Sequence, residues 1–244
     1  MMKRLSGVAG NMAHASARGY TLLELLMVLV ILATVTGAVF EQINRMQKSS
    51  AAEAMKLDLN QQAREFVNQM VRDLHKAGYP SASMYSNPQG DNTKVAAGLV
   101  SVSPTQVLLE GDVNNDGNVY SVNIVYVASD PADSNCPCIR RSAMIKGPQD
   151  SLHQPSSPTY AETTNVMPPG PGPGQSGEEL FAYYDQNGQP VDVGPGVDIS
   201  TSAGRNTIAS IKTVKINLSL LSLRDPETSS SMRTSISATS MVNQ

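Results

Sequence analysis

The sequence lacks the features on which several classes of function depend. Among its 244 residues there is no tryptophan, aromatic residues make up 5%, and the formal net charge is -3. Without a basic surplus the chain has no general attraction for phosphate, and with few aromatic side chains it offers little for bases to stack on. Two cysteines exclude a disulfide-rich scaffold and a zinc site of four thiolates. We therefore expect no nucleic-acid partner.

Residue patterns typical of catalysis are also missing. The histidines His14, His75 and His153 are far apart and accompany no Gly-x-Ser-x-Gly or His-Glu-x-x-His pattern. Residues 172–177 fit the glycine spacing of a dinucleotide-binding loop, but they follow a proline- and glycine-rich run instead of a strand. Proline also has no N–H to donate to a phosphate. We expect a protein that is not an enzyme and that needs no organic cofactor.

What the sequence does contain is one long apolar run near its amino terminus. Of the 19 residues at 22–40, 15 are apolar, and Glu24 is the only charged one. Such a run forms about 29 Å of helix, which matches a bilayer core of about 30 Å. Lys3, Arg4 and Arg18 precede it and no acidic residue does. The positive-inside rule therefore places the amino terminus in the cytoplasm and the rest of the chain across the membrane.

Three interpretations of this segment differ in the role that they assign to Glu24. A secretory signal could be cut after Ala38, but such signals seldom carry a glutamate near the start of the apolar core. In an ordinary membrane anchor the carboxylate costs about 2.5–3.5 kcal/mol at mid-membrane, and less near the membrane edge, with no benefit in return. The third interpretation gives the carboxylate a function.

Residues 19–24, Gly-Tyr-Thr-Leu-Leu-Glu, together with the apolar run, resemble the processing site of type IV prepilins. The resemblance implies a leader of residues 1–19, cleavage between Gly19 and Tyr20 by a prepilin peptidase, and N-methylation of Tyr20. Glu24 then becomes the fifth residue of the mature chain, where the family carries a glutamate that acts in assembly. A terminal ammonium and a carboxylate in an apolar layer each lack a counter-charge, and staggered helices bring them together.

A long helix is predicted over residues 20–78, with its transmembrane part at 20–40. The only glycine between Tyr20 and Ala77 is Gly37, and no proline occurs there. Apolar residues near its end follow the spacing of one helical face: Phe66, Val67, Met70, Val71 and Leu74. We expect this face to pack on a domain, and Gly78 and Pro80 to end the helix.

Residues 79–244 are predicted to form a β-rich domain on the far side of the membrane. Short apolar runs separated by Gly, Asn, Asp and Pro predict strands at 95–102, 106–110, 119–127, 139–145, 180–184, 208–223 and 232–242. Residues 154–177 hold six of the 15 prolines and four of the 18 glycines and are predicted to be an exposed loop. The fold class is therefore α+β and pilin-like: a long amino-terminal helix packed against an antiparallel sheet.

Two downstream segments extend the resemblance to particular pilins. Residues 181–188, an aromatic strand with an Asp-x-Asn-Gly turn, and the long strand from Ile211 are similar to those of PilW-type minor pilins and the related J-type minor pseudopilins of type II secretion. This implies a low-copy subunit that starts or caps a filament. Its partners would be prepilin peptidase, other minor pilins, the major pilin and the inner-membrane assembly platform. A membrane-tethered tip adhesin or binding module is a further alternative.

The segment 112–117, Asp-Val-Asn-Asn-Asp-Gly, has two interpretations. Asp112, Asn114 and Asp116 match the first ligand positions of a calcium loop, but position 12 is Asn123 and not glutamate. A hairpin turn between the strands at 106–110 and 119–127 is the alternative, and Asp-Gly is the pair expected in such a turn. We favour the turn and keep calcium as a hypothesis.

The only two cysteines, Cys136 and Cys138, would lie on the oxidising side of the membrane. A disulfide between them closes a very small ring and adds little stability. Free thiols or pairing between chains are the alternatives.

Overall fold

The computed structural model describes residues 21–86, 92–131, 136–148, 160–172, 175–221 and 233–242. It divides the chain after Ser49 into two compact units, which are described separately. The elements are α1 (Leu22–Lys76), a 3₁₀ turn (Ala82–Met84), β1 (Gly98–Val102), β2 (Gln106–Gly111), β3 (Tyr120–Val127), β4 (Cys138–Ile145), β5 (Tyr160–Thr164), β6 (Phe181–Tyr184), β7 (Val197–Asp198), α2 (Ser202–Ser210), β8 (Thr213–Leu221) and β9 (Arg233–Met241).

In the first unit, α1 presents apolar side chains on all sides. Every residue from 21 to 49 is exposed, and the mean hydropathy of its most apolar 18-residue window is 2.5. The hydroxyls of Thr34 and Thr36 donate to the carbonyls of Ile31 and Leu32 at 2.8 and 2.7 Å, so these two side chains need no water. By length and composition, this helix can cross a membrane.

In the second unit, the last four turns of α1 pack one face against the domain. Phe66, Val67, Met70 and Leu74 are buried, and Val71 is half-buried against the same core. The stripe predicted from the spacing is therefore confirmed. Each large apolar side chain buried in this way contributes about 1.5–3 kcal/mol.

The strands form two antiparallel sheets. The first has the order β5-β4-β3-β2-β1-β7, and the second has the order β6-β8-β9. The hydroxyl of Tyr183 on β6 donates to the carbonyl of Ser103, next to β1, at 2.8 Å and ties the sheets together. Burial raises the pKa of this phenol well above its usual range. The largest fully buried side chains from the two sheets are Leu99, Leu109, Ile124, Ile139, Phe181, Ile216, Leu218 and Leu220.

Strand patterns were the most reliable part of the sequence prediction. The predicted hairpin is present, with Gly111 at the end of β2 opposite Tyr120 at the start of β3. In β8, Val214, Ile216 and Leu218 are buried while Lys215 and Asn217 between them are only partly so. This alternation is expected of a strand with one buried face.

The predicted helix packed against antiparallel strands is confirmed, and these strands are divided between two sheets. The pattern of a single strand does not specify this division. Two expectations need correction. Residues 208–210 belong to α2 and not to the strand, since Thr201 caps a short helix by accepting a hydrogen bond from the N–H of Gly204 at 3.0 Å. The predicted loop at 154–177 contains β5, whose backbone pairs with β4. Residues 149–159 and 173–174 lie outside the described part of the chain.

The end of α1 is fastened to the sheet through backbone contacts. Ala77 forms an antiparallel bridge with Gly111, and the N–H of Gly78 donates to the carbonyl of Glu110 at 2.9 Å. Gly78 has a φ of +81°, which favours glycine and ends the helix. A Cβ atom on Gly111 would lie 2.4 Å from the carbonyl oxygen of Lys76. Only glycine allows this close approach.

Two buried ion pairs reinforce the domain. Arg141 on β4 holds Asp73 of α1 through two hydrogen bonds, of 2.6 and 3.1 Å. Lys146 donates to Oε2 of Glu110 at 2.7 Å, while Oε1 of Glu110 is buried without a partner. The first pair joins residues 68 positions apart and locks helix to sheet.

Candidate functional site

Glu24 lies in the first turn of α1, where Thr21 caps the helix. The N–H of Glu24 donates to the carbonyl of Thr21 at 3.0 Å and approaches its Oγ1 at 3.3 Å. Thr-x-x-Glu is the sequence of a capping box, and a carboxylate near the amino end of a helix interacts favourably with the helix dipole. These local effects favour the start of the helix at this point and place Glu24 in its first turn.

The surroundings of Glu24 are apolar. Leu23, Met27 and Val28, which neighbour Glu24 on the surface of the helix, are apolar and exposed. No cationic side chain among the described residues pairs with Glu24. The site therefore presents a single carboxylate within an apolar surface, an arrangement suited to pairing with a positive charge brought by another chain.

The other residues of the predicted processing site, Gly19 and Tyr20, lie outside the described residues. The cleavage between them and the methylation of Tyr20 stay predictions.

The segment 112–117 folds as the turn between β2 and β3. The two carboxylate oxygens of Asp112 accept the N–H groups of Asp116 and Gly117 at 3.1 and 3.0 Å. Oδ2 of Asp116 accepts the hydroxyl of Tyr120 at 2.6 Å, and this hydrogen bond lowers the pKa of Asp116. These donors already satisfy the carboxylates as a turn requires. Calcium binding by Asp112, Asn114 and Asp116 stays a hypothesis.

Cys136 and Cys138 form a disulfide in the structure, with Cα atoms 4.3 Å apart. Cys136 is half-buried and Cys138 is fully buried at the start of β4. Because the bridge spans one intervening residue, it is a local clip and contributes little to overall stability.

Three residues were missed by the sequence analysis. The cap at Thr21 had a readable signal in the Thr-x-x-Glu spacing. Asp73 and Arg141 had no such signal. Asp73 is a charged residue within an apolar helical face and Arg141 lies 68 positions away, so the sequence does not show that the two residues pair.

A long apolar helix packed at its carboxyl end against antiparallel sheets, with one carboxylate in its first turn, defines an α+β, pilin-like architecture. The family model of the prokaryotic N-terminal methylation motif matches residues 14–40. No curated protein and no solved structure matches the chain. The motif supports a type IV pilin-like or pseudopilin-like protein, a structural and not an enzymatic class, and it implies processing by a prepilin peptidase. Together with the apolar helix, it is consistent with membrane anchoring.

Proposed function

We propose that the protein is a minor pilin of a type IV pilus, which acts in filament initiation or at the filament tip. The observation that carries this proposal is the position of Glu24, which is the fifth residue after Gly19, lies in the first turn of α1 and falls inside the methylation motif. An ordinary membrane anchor has no use for a carboxylate at this position.

Processing would create the partner that Glu24 lacks. Hydrolysis of the Gly19–Tyr20 peptide bond releases the leader and leaves an ammonium group on Tyr20, which keeps its positive charge after methylation. Within one chain this group lies four residues before Glu24, and in a filament the ammonium of one subunit meets the carboxylate of a neighbour. Inside an apolar helix bundle, such a pair replaces two uncompensated charges.

The rest of the chain acts through contacts with the membrane and with other proteins. Residues 20–40 anchor the precursor in the inner membrane with its amino terminus in the cytoplasm, and the sheet domain lies on the other side. The partners are prepilin peptidase, other minor pilins, the major pilin and the inner-membrane assembly platform. The resemblance to PilW-type minor pilins supports the minor, low-copy role.

A minor pseudopilin of type II secretion is the second candidate, because the methylation motif matches both kinds of subunit. Deleting the gene and scoring surface filaments and protein secretion in the same strain separates the two. We expect most surface filaments to be lost and secretion to be unchanged, with recovery when the full chain is restored. Loss of secretion with normal filaments would assign the protein to the secretion system, and no change in either would contradict both.

A further inference from the structure

The disulfide between Cys136 and Cys138 has the surroundings of a reactive site as well as those of a structural clip. We propose that it is a site of thiol–disulfide exchange, at which Cys136 forms a mixed disulfide with a cysteine thiol of another molecule and Cys138 opens and recloses the bridge. The strand pairing around the bridge, the unequal burial of its two cysteines and a guanidinium beside Cys136 carry the proposal. It does not rest on the proposed function.

The fold around the bridge does not depend on the disulfide. Cys138 pairs with Val127 of β3 on one side and with Thr164 of β5 on the other. The carbonyl of Pro137 accepts the N–H of Val166 at 3.0 Å. A disulfide that spans one intervening residue restricts the unfolded chain very little, so opening it removes little stability. The bridge can therefore open and close while the domain stays folded.

The two cysteines differ in burial. Cys138 is fully buried at the start of β4, whereas Cys136 precedes the strand and is half-buried. An incoming thiolate attacks one sulfur of a disulfide and displaces the other, and access decides which sulfur it reaches. Attack therefore falls on Sγ of Cys136, and Sγ of Cys138 is the leaving group.

A cation lies beside the sulfur that is attacked. Nη2 of Arg140 donates to Sγ of Cys136 at 3.7 Å, while Nη1 of Arg140 donates to Oδ2 of Asp130 at 2.6 Å and so holds the guanidinium in place. The side chains of Arg140 and Asp130 are 14% and 24% exposed, so water and salt screen this charge only in part. A cation at this position stabilises a thiolate on Cys136, and a stabilised thiolate leaves a mixed disulfide more readily.

With a dithiol, the exchange takes two steps and transfers two electrons. One thiolate of the dithiol attacks Sγ of Cys136, the bond between the two cysteine sulfurs breaks, and Cys138 leaves as a thiolate. The second thiolate of the dithiol then attacks the dithiol sulfur of the mixed disulfide, and Cys136 leaves as the thiolate beside Arg140. The dithiol becomes a disulfide, Cys136 and Cys138 are reduced, and the two protons of the dithiol pass to them through solvent.

Single-cysteine variants test which sulfur exchanges. The full chain is purified in detergent as Cys138→Ser, which leaves Cys136, and as Cys136→Ser, which leaves Cys138. Each is mixed with oxidised glutathione at neutral pH, and the adduct is followed by intact mass. We expect Cys136 to react ~10-fold or more faster than Cys138 in the folded chain, and the two rates to become similar in denaturant. Equal rates in the folded chain, or faster reaction of Cys138, would overturn the proposal.

Substitution of Arg140 in the Cys138→Ser chain tests the role of the cation. Arg140→Gln should slow the reaction of Cys136 ~3-fold or more, whereas Arg140→Lys should keep most of the rate. Arg205→Gln removes an exposed cation from α2 and serves as the matched control. If circular dichroism shows that Arg140→Gln does not fold, the fall in rate on adding salt to the Arg140 chain replaces it. An unchanged rate in folded Arg140→Gln, or no effect of salt, would contradict the role given to the guanidinium.

Reduction of the intact bridge tests the exchange itself. The oxidised full chain is incubated with dithiothreitol as the dithiol, quenched with acid and alkylated, and the number of modified cysteines is read from its mass. We expect both cysteines to be reduced in the folded chain, with little change in melting temperature. A bridge that resists the dithiol until the chain unfolds, or a chain that unfolds once the bridge is reduced, would overturn the proposal.

The Cys138→Ser variant also identifies the source of the thiol in producing cells. Without Cys138, a mixed disulfide on Cys136 cannot be resolved within the chain and accumulates. A band shift that is lost on reduction shows a cysteine of another polypeptide, and a small mass increase of the chain shows a low-molecular-weight thiol. Either adduct supports exchange at Cys136. Recovery of Cys136 as a free thiol would contradict it.

Discussion

Replacing Glu24 with alanine is expected to leave the protein in the membrane and to remove it from filaments. The apolar run becomes more apolar, so insertion is unaffected. The ammonium on Tyr20 of a neighbouring subunit then lacks its counter-charge, and removing one partner of a buried pair costs about 3–5 kcal/mol. That energy corresponds to a ~100-fold or larger loss of association. Immunoblots of the membrane fraction and of sheared surface filaments measure both quantities.

Two variants serve as controls for Glu24→Ala. Glu41→Ala removes another carboxylate from α1, but Glu41 pairs with Arg45 on the surface and such pairs contribute about 0.3–0.5 kcal/mol. It should enter filaments normally. Glu24→Gln keeps the shape of the side chain without its charge and should fail as Glu24→Ala does. Normal filament entry by both Glu24 variants would contradict the role given to this carboxylate.

Replacing Asp73 with alanine is expected to destabilise the domain by about 3–5 kcal/mol. The side chain of Asp73 is 1% exposed and that of Arg141 is 14% exposed, so the substitution leaves a guanidinium largely out of water with no carboxylate beside it. For a chain of this size, the loss lowers the melting temperature by about 6–20 °C. Thermal unfolding of the full chain in detergent, followed by circular dichroism, measures it.

Asp58→Ala is the matched control for Asp73→Ala. Asp58 lies on the same helix, is exposed and accepts a hydrogen bond from Gln62 at 3.1 Å, so its removal should lower stability only slightly. The double variant Asp73→Leu/Arg141→Met removes both charges and should recover most of the stability that Asp73→Ala loses. Equal melting temperatures for Asp73→Ala and Asp58→Ala would contradict the locking role of the buried pair.

Features that depend on neighbouring residues were predictable from the sequence. The helical face from Phe66 to Leu74 and the hairpin around Asp116 follow from apolar spacing and turn chemistry within about 20 residues. The methylation motif that contains Glu24 is likewise recognisable within residues 14–40, whereas the role of Glu24 itself stays a prediction.

Features that depend on distant residues were not predictable. The bridge between Ala77 and Gly111 and the ion pair between Asp73 and Arg141 join segments that are distant in the sequence, and no local pattern predicts either contact. The division of the strands into two sheets also depends on pairing between distant segments. The strand β5 was missed because it is only five residues long and the proline and glycine residues around it favour a loop.

The amino terminus of the mature protein tests the central claim most directly. The full chain is purified from the membranes of producing cells, and its intact mass and amino-terminal peptide are measured by mass spectrometry. Our account predicts a chain that begins at Tyr20 and carries one added methyl group on its terminal amine. In a strain without prepilin peptidase, the leader should be retained. A mature chain that keeps its leader in normal cells, or that begins after Ala38, would contradict the account.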